Sequence, residues 1–512
     1  MVRVLLALAG ALLALLSMPG YLWGGLVFFA LVPIFFALEG GTPRQGFWLG
    51  YGAGFVFFVL LFYWLYALIE WAGVFILLGH VGLAGLLAVG WGLWGASLCL
   101  IQRQFPHAQW LAAPALWVLL EYLRSLTRFG FTWGFLSDAL WQSPQLIQIA
   151  SVTGTWGVSL LIVFVNLLLY QTLRERRLRW GVIAVGLIML FWVWGEYQLR
   201  LPYSREKPLR VALIHSNVAQ RARSDPEQLY NIQNLYLAQL ERLAPGQFDL
   251  VLLPESILPA YLLRQPELLE PYQEQVRRLG AALIVGTIDY RDGKLVNTAA
   301  LLGPDGEIRD LYDKVHLVPF STEYFPLIEL LRRMGIERVI GPLPLGALTP
   351  GDGFRPLVLT SSHAQSQDEG VRLATPICFE SIFSHISREF VRSGAQAILV
   401  ITNDGWFKGL RALEQHFAKA IFRAVETRRY TVQAANGGIS GIIDPHGRIV
   451  MTTRSETTQI LQETIFLQDR ATLYVRLGDW VVYLLVVFLA GVIFVIPRLV
   501  SFVTTPVARL TL

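Results

Sequence analysis

The first two hundred residues leave few ways to fold. Apolar runs follow one another almost without a break over 4–18, 21–38, 47–69, 73–101, 108–124, 145–173 and 180–198, and one more covers 480–496. Several reach the roughly 20 residues an α-helix needs to cross a bilayer, and the shorter ones can pair or tilt. In lipid every backbone N–H and C=O must be bonded internally, so these runs are expected as helices. The reading is a bundle of about eight membrane helices, seven within 1–200 and an eighth within 479–503, with a soluble domain over 207–470 between them. At 54% hydrophobic and 15% charged residues the whole chain is too apolar for a soluble protein. The first run, with Arg3 ahead of a Leu/Ala stretch, has the outline of a signal peptide. No Ala-x-Ala site follows it, so it is expected as a retained helix.

Basic residues orient the bundle. With the N-terminus inside, eight spans leave Arg3, Arg44, Arg103, the cluster Arg174, Arg176, Arg177 and Arg179, and Arg498 and Arg509 on the cytoplasmic side. The opposite connections hold little charge beyond Arg124 and Arg128. The soluble domain is thus expected on the outer face of a bacterial inner membrane. The net charge of +5 follows from this topology, and no nucleic-acid-binding motif accompanies it. Glu121 and Arg124 lie one turn apart at the outer end of a run, ahead of the Gly/aromatic stretch 129–135. Ionisable residues at that depth are costly, so they line a lipid-accessible cavity or belong to an interfacial belt with the arginine reaching headgroups.

From about 207 short apolar runs alternate with helical patterns. Leu209–His215, Asp249–Leu253, Ala281–Thr287, Thr298–Leu302, Val371–Ile377 and Ala397–Thr402 are expected as buried strands, and 226–243, 265–279, 384–393 and 412–427 as amphipathic helices. Gly-Pro-Asp-Gly at 303–306 and Asp-Pro-His-Gly at 444–447 read as hairpin turns. The alternation implies an α/β layered domain. A Pro-rich stretch (Pro342, Pro344, Pro350, Pro356) and polar 361–370 read as long surface loops.

Within this domain one stretch invites chemistry. The strand ending at Ala374-Thr375-Pro376-Ile377-Cys378-Phe379-Glu380-Ser381 offers a thiol at an abrupt strand-to-helix turn, the way folds present a nucleophile with backbone amides free. A thiol needs a base to ionise it and donors for the oxyanion it generates. Upstream, Glu255 in Val-Leu-Leu-Pro-Glu-Ser and Lys314 in Tyr-Asp-Lys-Val-His-Leu are the candidates. A small buried hydrophobe is the alternative for Cys378. The other cysteine, Cys99, lies in a membrane run and cannot pair with it, and the two cysteines make no zinc-ligand spacing. No phosphate-binding loop or dinucleotide fingerprint is present.

Glu255, Lys314 in Tyr-Asp-Lys-Val-His-Leu-Val-Pro-Phe, and Cys378 before Phe-Glu together resemble the Glu-Lys-Cys triad of the nitrilase superfamily. Thr402-Asn403-Asp404-Gly405-Trp406-Phe407, Gln415-His416 and Arg423-Ala424-Val425-Glu426 match the same superfamily further on. With a nitrilase-like domain set between the seventh and eighth spans, the chain as a whole resembles the apolipoprotein N-acyltransferases. The resemblance implies an α-β-β-α sandwich and a ping-pong acyl transfer in which Glu255 is base then acid, Cys378 the nucleophile, and Lys314 with the backbone N–H near Phe379 the oxyanion donors. The implied acyl donor is a phospholipid, typically phosphatidylethanolamine, and the implied acceptor the α-amine of a diacylated apolipoprotein; no metal or organic cofactor is implied. It also implies supporting roles for Glu323 and Glu380, while Asn403 and Trp406 are expected to shape the pocket. The protein is expected to act as a monomer.

The chain departs from the family in places. Pro-Phe-Ser-Thr-Glu-Tyr at 319–324 is one residue longer than the usual Pro-Phe-Gly-Glu-Tyr. Phe379 stands where a Tyr is often found. His215-Ser216-Asn217 and Arg223-Ser224 stand for Gln-Gly-Asn and Lys-Trp. Two other functions are compatible with the residues: a membrane-tethered nitrilase-type amidase, and an inactive lipid- or lipoprotein-binding relative.

Overall fold

The structure is a computed structural model that describes residues 1–104, 109–325, 334, 348–360, 370–407 and 409–491. Pro342 and Pro344, nearly all of the 361–370 loop, the end of the 480–496 run, Arg498 and Arg509 lie outside the described residues.

The soluble domain holds two six-stranded sheets. The first contains β1 (Pro208–His215), β2 (Leu250–Leu252), β3 (Ala282–Arg291), β4 (Lys294–Leu302), β5 (Ile308–Asp313) and β12 (Gln459–Phe466), in the order β12-β1-β2-β3-β4-β5. The second contains β6 (Leu357–Leu359), β7 (Val371–Ala374), β8 (Ala397–Asn403), β9 (Thr431–Asn436), β10 (Gly441–Ile443) and β11 (Ile449–Thr452), in the order β11-β10-β9-β8-β7-β6. Each sheet is parallel at its centre and antiparallel at its flanks. The strand period of two explains the layering. In β1, Val211 and Leu213 enter the cluster between the sheets, while Ala212 and Ile214 pack under the helices Leu229–Glu241 and Pro266–Leu279. Residues buried on both faces read as the unbroken apolar runs seen in the sequence.

All six expected strands and four expected helices are present, and both turns join antiparallel pairs, β4–β5 and β10–β11. The expected strand Val371–Ile377 stops at Ala374, because Pro376 has no N–H for the ladder; only Ile377 returns to bridge Ile401. Six further strands, β5, β6 and β9–β12, were not anticipated. They are short, or carry Gln, Asn, Asp or Glu among their apolar residues.

Among the described residues, three membrane-part helices, Phe75–Gln104, Thr155–Glu175 and Leu178–Arg200, are long and apolar enough to cross a bilayer. A fourth span results if Pro43–Leu61 and Tyr63–Trp71, bent by 50°, count as one. Val2–Ser17, Gly24–Leu38 and Trp480–Ala490 are shorter apolar helices. The 145–173 run is not one helix. It breaks at Gly154, whose φ of 67° a right-handed helix cannot continue, and the two single turns before it, Pro144–Ile147 and Ala150–Thr153, lie against the soluble domain.

The helix Ala412–Thr427 joins the two parts. The sequence predicts an amphipathic helix here, without saying what its polar face meets. All but Glu414 of its residues are buried, and its polar side chains meet the membrane part. Lys419 Nζ donates to both oxygens of Asp138 at 2.7 Å and to the Thr132 carbonyl at 2.8 Å. Trp64 donates to Gln415, and the Thr155 amide to Glu426. Buried charge is tolerated here because each group finds a partner.

Candidate active site

The carboxyl ends of β2, β5, β7 and β8 deliver the candidate residues to one place. Glu255 follows β2 through Leu253-Pro254, and Gly286 of β3 runs beside it. A Cβ on Gly286 would lie 2.5 Å from the Glu255 Cα and 2.6 Å from the Pro254 oxygen, so only glycine allows this approach. Lys314 is the first residue past β5, its amide held by the Asn297 carbonyl at 2.8 Å. Cys378 opens the helical turn Cys378–Ile382 with φ of 52°, a left-handed conformation that a side chain other than glycine adopts only when its surroundings enforce it. Two of the three are buried and Cys378 is half-buried, as a reachable nucleophile must be.

Lys314 Nζ sits between two carboxylates, donating to Glu323 Oε1 at 2.7 Å and to Glu255 Oε1 at 3.4 Å. Glu255 also accepts from Asn297 Nδ2 at 2.7 Å and from the Asn403 amide at 2.9 Å. Burial works against the Lys314 ammonium, but Glu323 and Glu255 outweigh it and hold the charge, with a pKa above the ordinary lysine value. Burial pushes the Cys378 thiol well up, Glu255 adds to this and Lys314 opposes it. The resting thiol is therefore neutral and needs the adjacent carboxylate to take its proton. A buried cation beside a base and a thiol at a strained turn can carry out acyl transfer through a thioester.

The family models agree with this arrangement. Residues 9–168 match the apolipoprotein N-acyltransferase N-terminal domain, and residues 210–473 match carbon-nitrogen hydrolase. The apolipoprotein N-acyltransferase of Geobacter metallireducens is 32% identical over 92% of this chain and 91% of its own. The chain belongs to the apolipoprotein N-acyltransferase family. The family member of Thermotoga maritima is 30% identical over 97% of this chain and 94% of its own. Among solved structures, a CN-hydrolase superfamily protein from Xanthomonas campestris aligns with 50% of this chain and 90% of its own at 22% identity, with a TM-score of 0.36.

Within this N-acyltransferase fold the supporting residues take defined places. The longer 319–324 loop leaves Glu323 on Lys314. Phe320 turns with φ of 58°, and the Ser321 hydroxyl donates to the Val318 carbonyl and accepts from the Glu323 amide. The Val318 amide donates to Glu323 Oε2 at 2.8 Å. Glu380 makes no ion pair among the described residues. It accepts from Tyr312 Oη, the Val315 and His316 amides and the Ile377 amide, at 2.8 to 3.0 Å, and so ties the Lys314 strand end to the Cys378 turn. Burial pushes it up to about 7 against these donors. Phe379 is buried against the His316 and Phe383 rings. Asn403 reaches Gln220 and Asn436 with its side chain. Trp406 lies against Trp71 of the membrane part, ring centres 5.3 Å apart, rather than on the triad. Among the described residues, the Ser224 hydroxyl hydrogen-bonds only within its own turn, at the Gln220 carbonyl.

Glu121 and Arg124 line a small cavity with Trp91, Trp94 and Trp117, and they also tie the chain internally. Glu121 accepts from Trp117 and the Leu136 amide, and Arg124 donates to the Trp133 carbonyl with its guanidinium 4.7 Å from the centre of the Phe135 ring. They hold the Gly/aromatic stretch so that Phe131 lies 6.2 Å from the Phe379 ring. Asn297 was missed entirely, since one asparagine in a strand carries no signal of its own.

Proposed function

We propose that this chain transfers a fatty acyl group from the sn-1 position of a phospholipid such as phosphatidylethanolamine to the N-terminal amine of diacylglyceryl-cysteine apolipoproteins. Glu255 takes the Cys378 proton as sulfur attacks the ester carbonyl, and the negative charge that forms on the carbonyl oxygen is met by Lys314 and the Phe379 N–H. Glu255 then gives its proton to the departing lysophospholipid oxygen, leaving a Cys378 thioester. The lipoprotein amine attacks next, Glu255 takes a proton from it, and collapse returns the Cys378 thiol and an amide. No step draws on a metal or organic cofactor. The observation that carries this reading is the buried Lys314 ammonium held between Glu255 and Glu323 beside Cys378, on a domain clamped to an apolar helix bundle where both lipid substrates would reside.

We further read the chain as residues 1–200 and 479–503 in the membrane, in eight spans, with 207–470 outside the cytoplasm as a monomer. The basic cluster at Arg174–Arg179 supports that orientation. Helix Leu178–Arg200 supports the immersion, since exposed Val182, Val185, Met189, Leu190 and Val193 would be costly in water.

Intact mass spectrometry after incubation with phosphatidylethanolamine tests the function. A fatty-acyl adduct on the wild type, absent from Cys378→Ser and cleared by a diacylated lipopeptide, is the expected result. An adduct that water clears and lipopeptide does not hasten would replace the transferase with a hydrolase, and no adduct at all would overturn the thioester.

A further inference from the structure

Behind the Cys378 peptide, three buried side chains form a line. Asp404 Oδ1 lies 2.9 Å from His416 Nδ1, His416 Nε2 lies 2.8 Å from Ser381 Oγ, and Ser381 Oγ donates to the Cys378 carbonyl at 2.7 Å. Asp404 and Ser381 are fully buried and His416 is 1% exposed. The catalytic steps above use none of them.

Counting protons settles the state of this line. Ser381 has one hydroxyl hydrogen, and the Cys378 carbonyl can only accept, so that hydrogen points at the carbonyl. His416 Nε2 must then donate to Ser381 Oγ. A carboxylate at Asp404 can only accept, so Nδ1 donates as well. Both ring nitrogens carry hydrogen, and His416 is an imidazolium.

The line ends on one particular peptide. The Cys378 carbonyl and the Phe379 N–H belong to the same planar trans unit and point in opposite directions. Drawing electron density toward the carbonyl oxygen makes the N–H across the plane a stronger donor, as hydrogen bonds in series reinforce one another at low dielectric. We propose that Asp404, His416 and Ser381 form a charged relay that polarises the Cys378–Phe379 peptide and so strengthens the Phe379 N–H as oxyanion donor. The inference rests on that donor role for Phe379. Ser381 and His416 are positioning residues, acting through the peptide and touching no substrate.

The surroundings favour the charge. Burial opposes it, but Asp404, the Cys378 carbonyl and Glu255 together raise His416 above the ordinary imidazole range. Asp404 faces it from the end of β8, Glu255 from the end of β2, and the Trp133 ring lies 5.7 Å away. On its own helix, Lys419 is matched by Asp138 and Arg423 by Glu426.

The test is single-turnover thioester formation from phosphatidylethanolamine, followed by intact mass from pH 5.5 to 9, on the full-length protein in detergent. Wild type should lose rate at alkaline pH as His416 gives up its proton. Ser381→Ala should acylate about tenfold more slowly, with that alkaline decline gone and its donor KM unchanged. Ser381→Thr keeps the hydroxyl and should restore both rate and decline. Ser381→Ala with the wild-type rate and pH profile would overturn the relay while leaving the thioester standing. Wild type without any adduct would overturn both.

Discussion

Glu380 shows how far the function of one side chain can lie from the reacting atoms. Its two oxygens collect four donors from the two chain segments that present Lys314 and Cys378. Glu380→Gln keeps the shape but turns an amide NH₂ toward groups that are themselves donors. A misplacement of about 1 Å between Lys314 and the nucleophile is enough to cost on the order of a hundredfold. Thioester formation in Glu380→Gln should fall by about that factor. The same residue should govern the pH dependence of stability. With its folded pKa pushed from 4.5 up to about 7, the folded protein holds a proton between these values that the unfolded chain has released. Its contribution is present below about pH 4.5 and is lost as pH rises to about 7, by roughly 2–3 kcal/mol. Unfolding curves in detergent at pH 5 and pH 8 should show this slope in the wild type and lack it in Glu380→Gln.

At the scale of elements, the site depends on how closely strands approach one another. Adding a methyl at Gly286 would press on the backbone of Pro254 and Glu255, which no rotamer change can relieve. Gly286→Ala should therefore destabilise by about 1–3 kcal/mol and displace the Glu255 carboxylate, with loss of the acyl adduct in the mass assay. Gly286 looks like any strand residue in the sequence; its importance lies in a neighbour 31 positions away. That Glu255, Lys314 and Cys378 belong to one candidate site was legible because each follows an apolar strand within a short distinctive string. The Pro376 interruption of β7, the parallel pairing of β8 with β9 and the Asp404–His416–Ser381 line were not. They depend on which strands become neighbours, and periodicity carries no record of that. The polar face of Ala412–Thr427 illustrates the same limit. Its spacing correctly predicts an amphipathic helix, but hydrophobic period cannot distinguish water from a second polar surface as its partner.

For the molecule as a whole, that helix decides whether two parts behave as one. Lys419 and Asp138 are both buried, 281 positions apart in the chain, and each is the other's counter-ion. Breaking such a pair from one side leaves a charge buried and unmatched, which typically costs 3–5 kcal/mol, whereas replacing both partners by apolar groups is often neutral. Lys419→Met should accordingly lower the unfolding free energy by that order, and Lys419→Met with Asp138→Leu should recover most of it. If the two parts were merely tethered, the single change would stay local and near zero, because Asp138 could move into water. The same cycle read through acylation distinguishes a weld from an anchor. The Gly/aromatic stretch that Lys419 holds through the Thr132 carbonyl also places Phe131 beside Phe379. Lys419→Met should then slow thioester formation as well, and the double variant, which lacks the tie to Thr132, should recover stability more completely than rate.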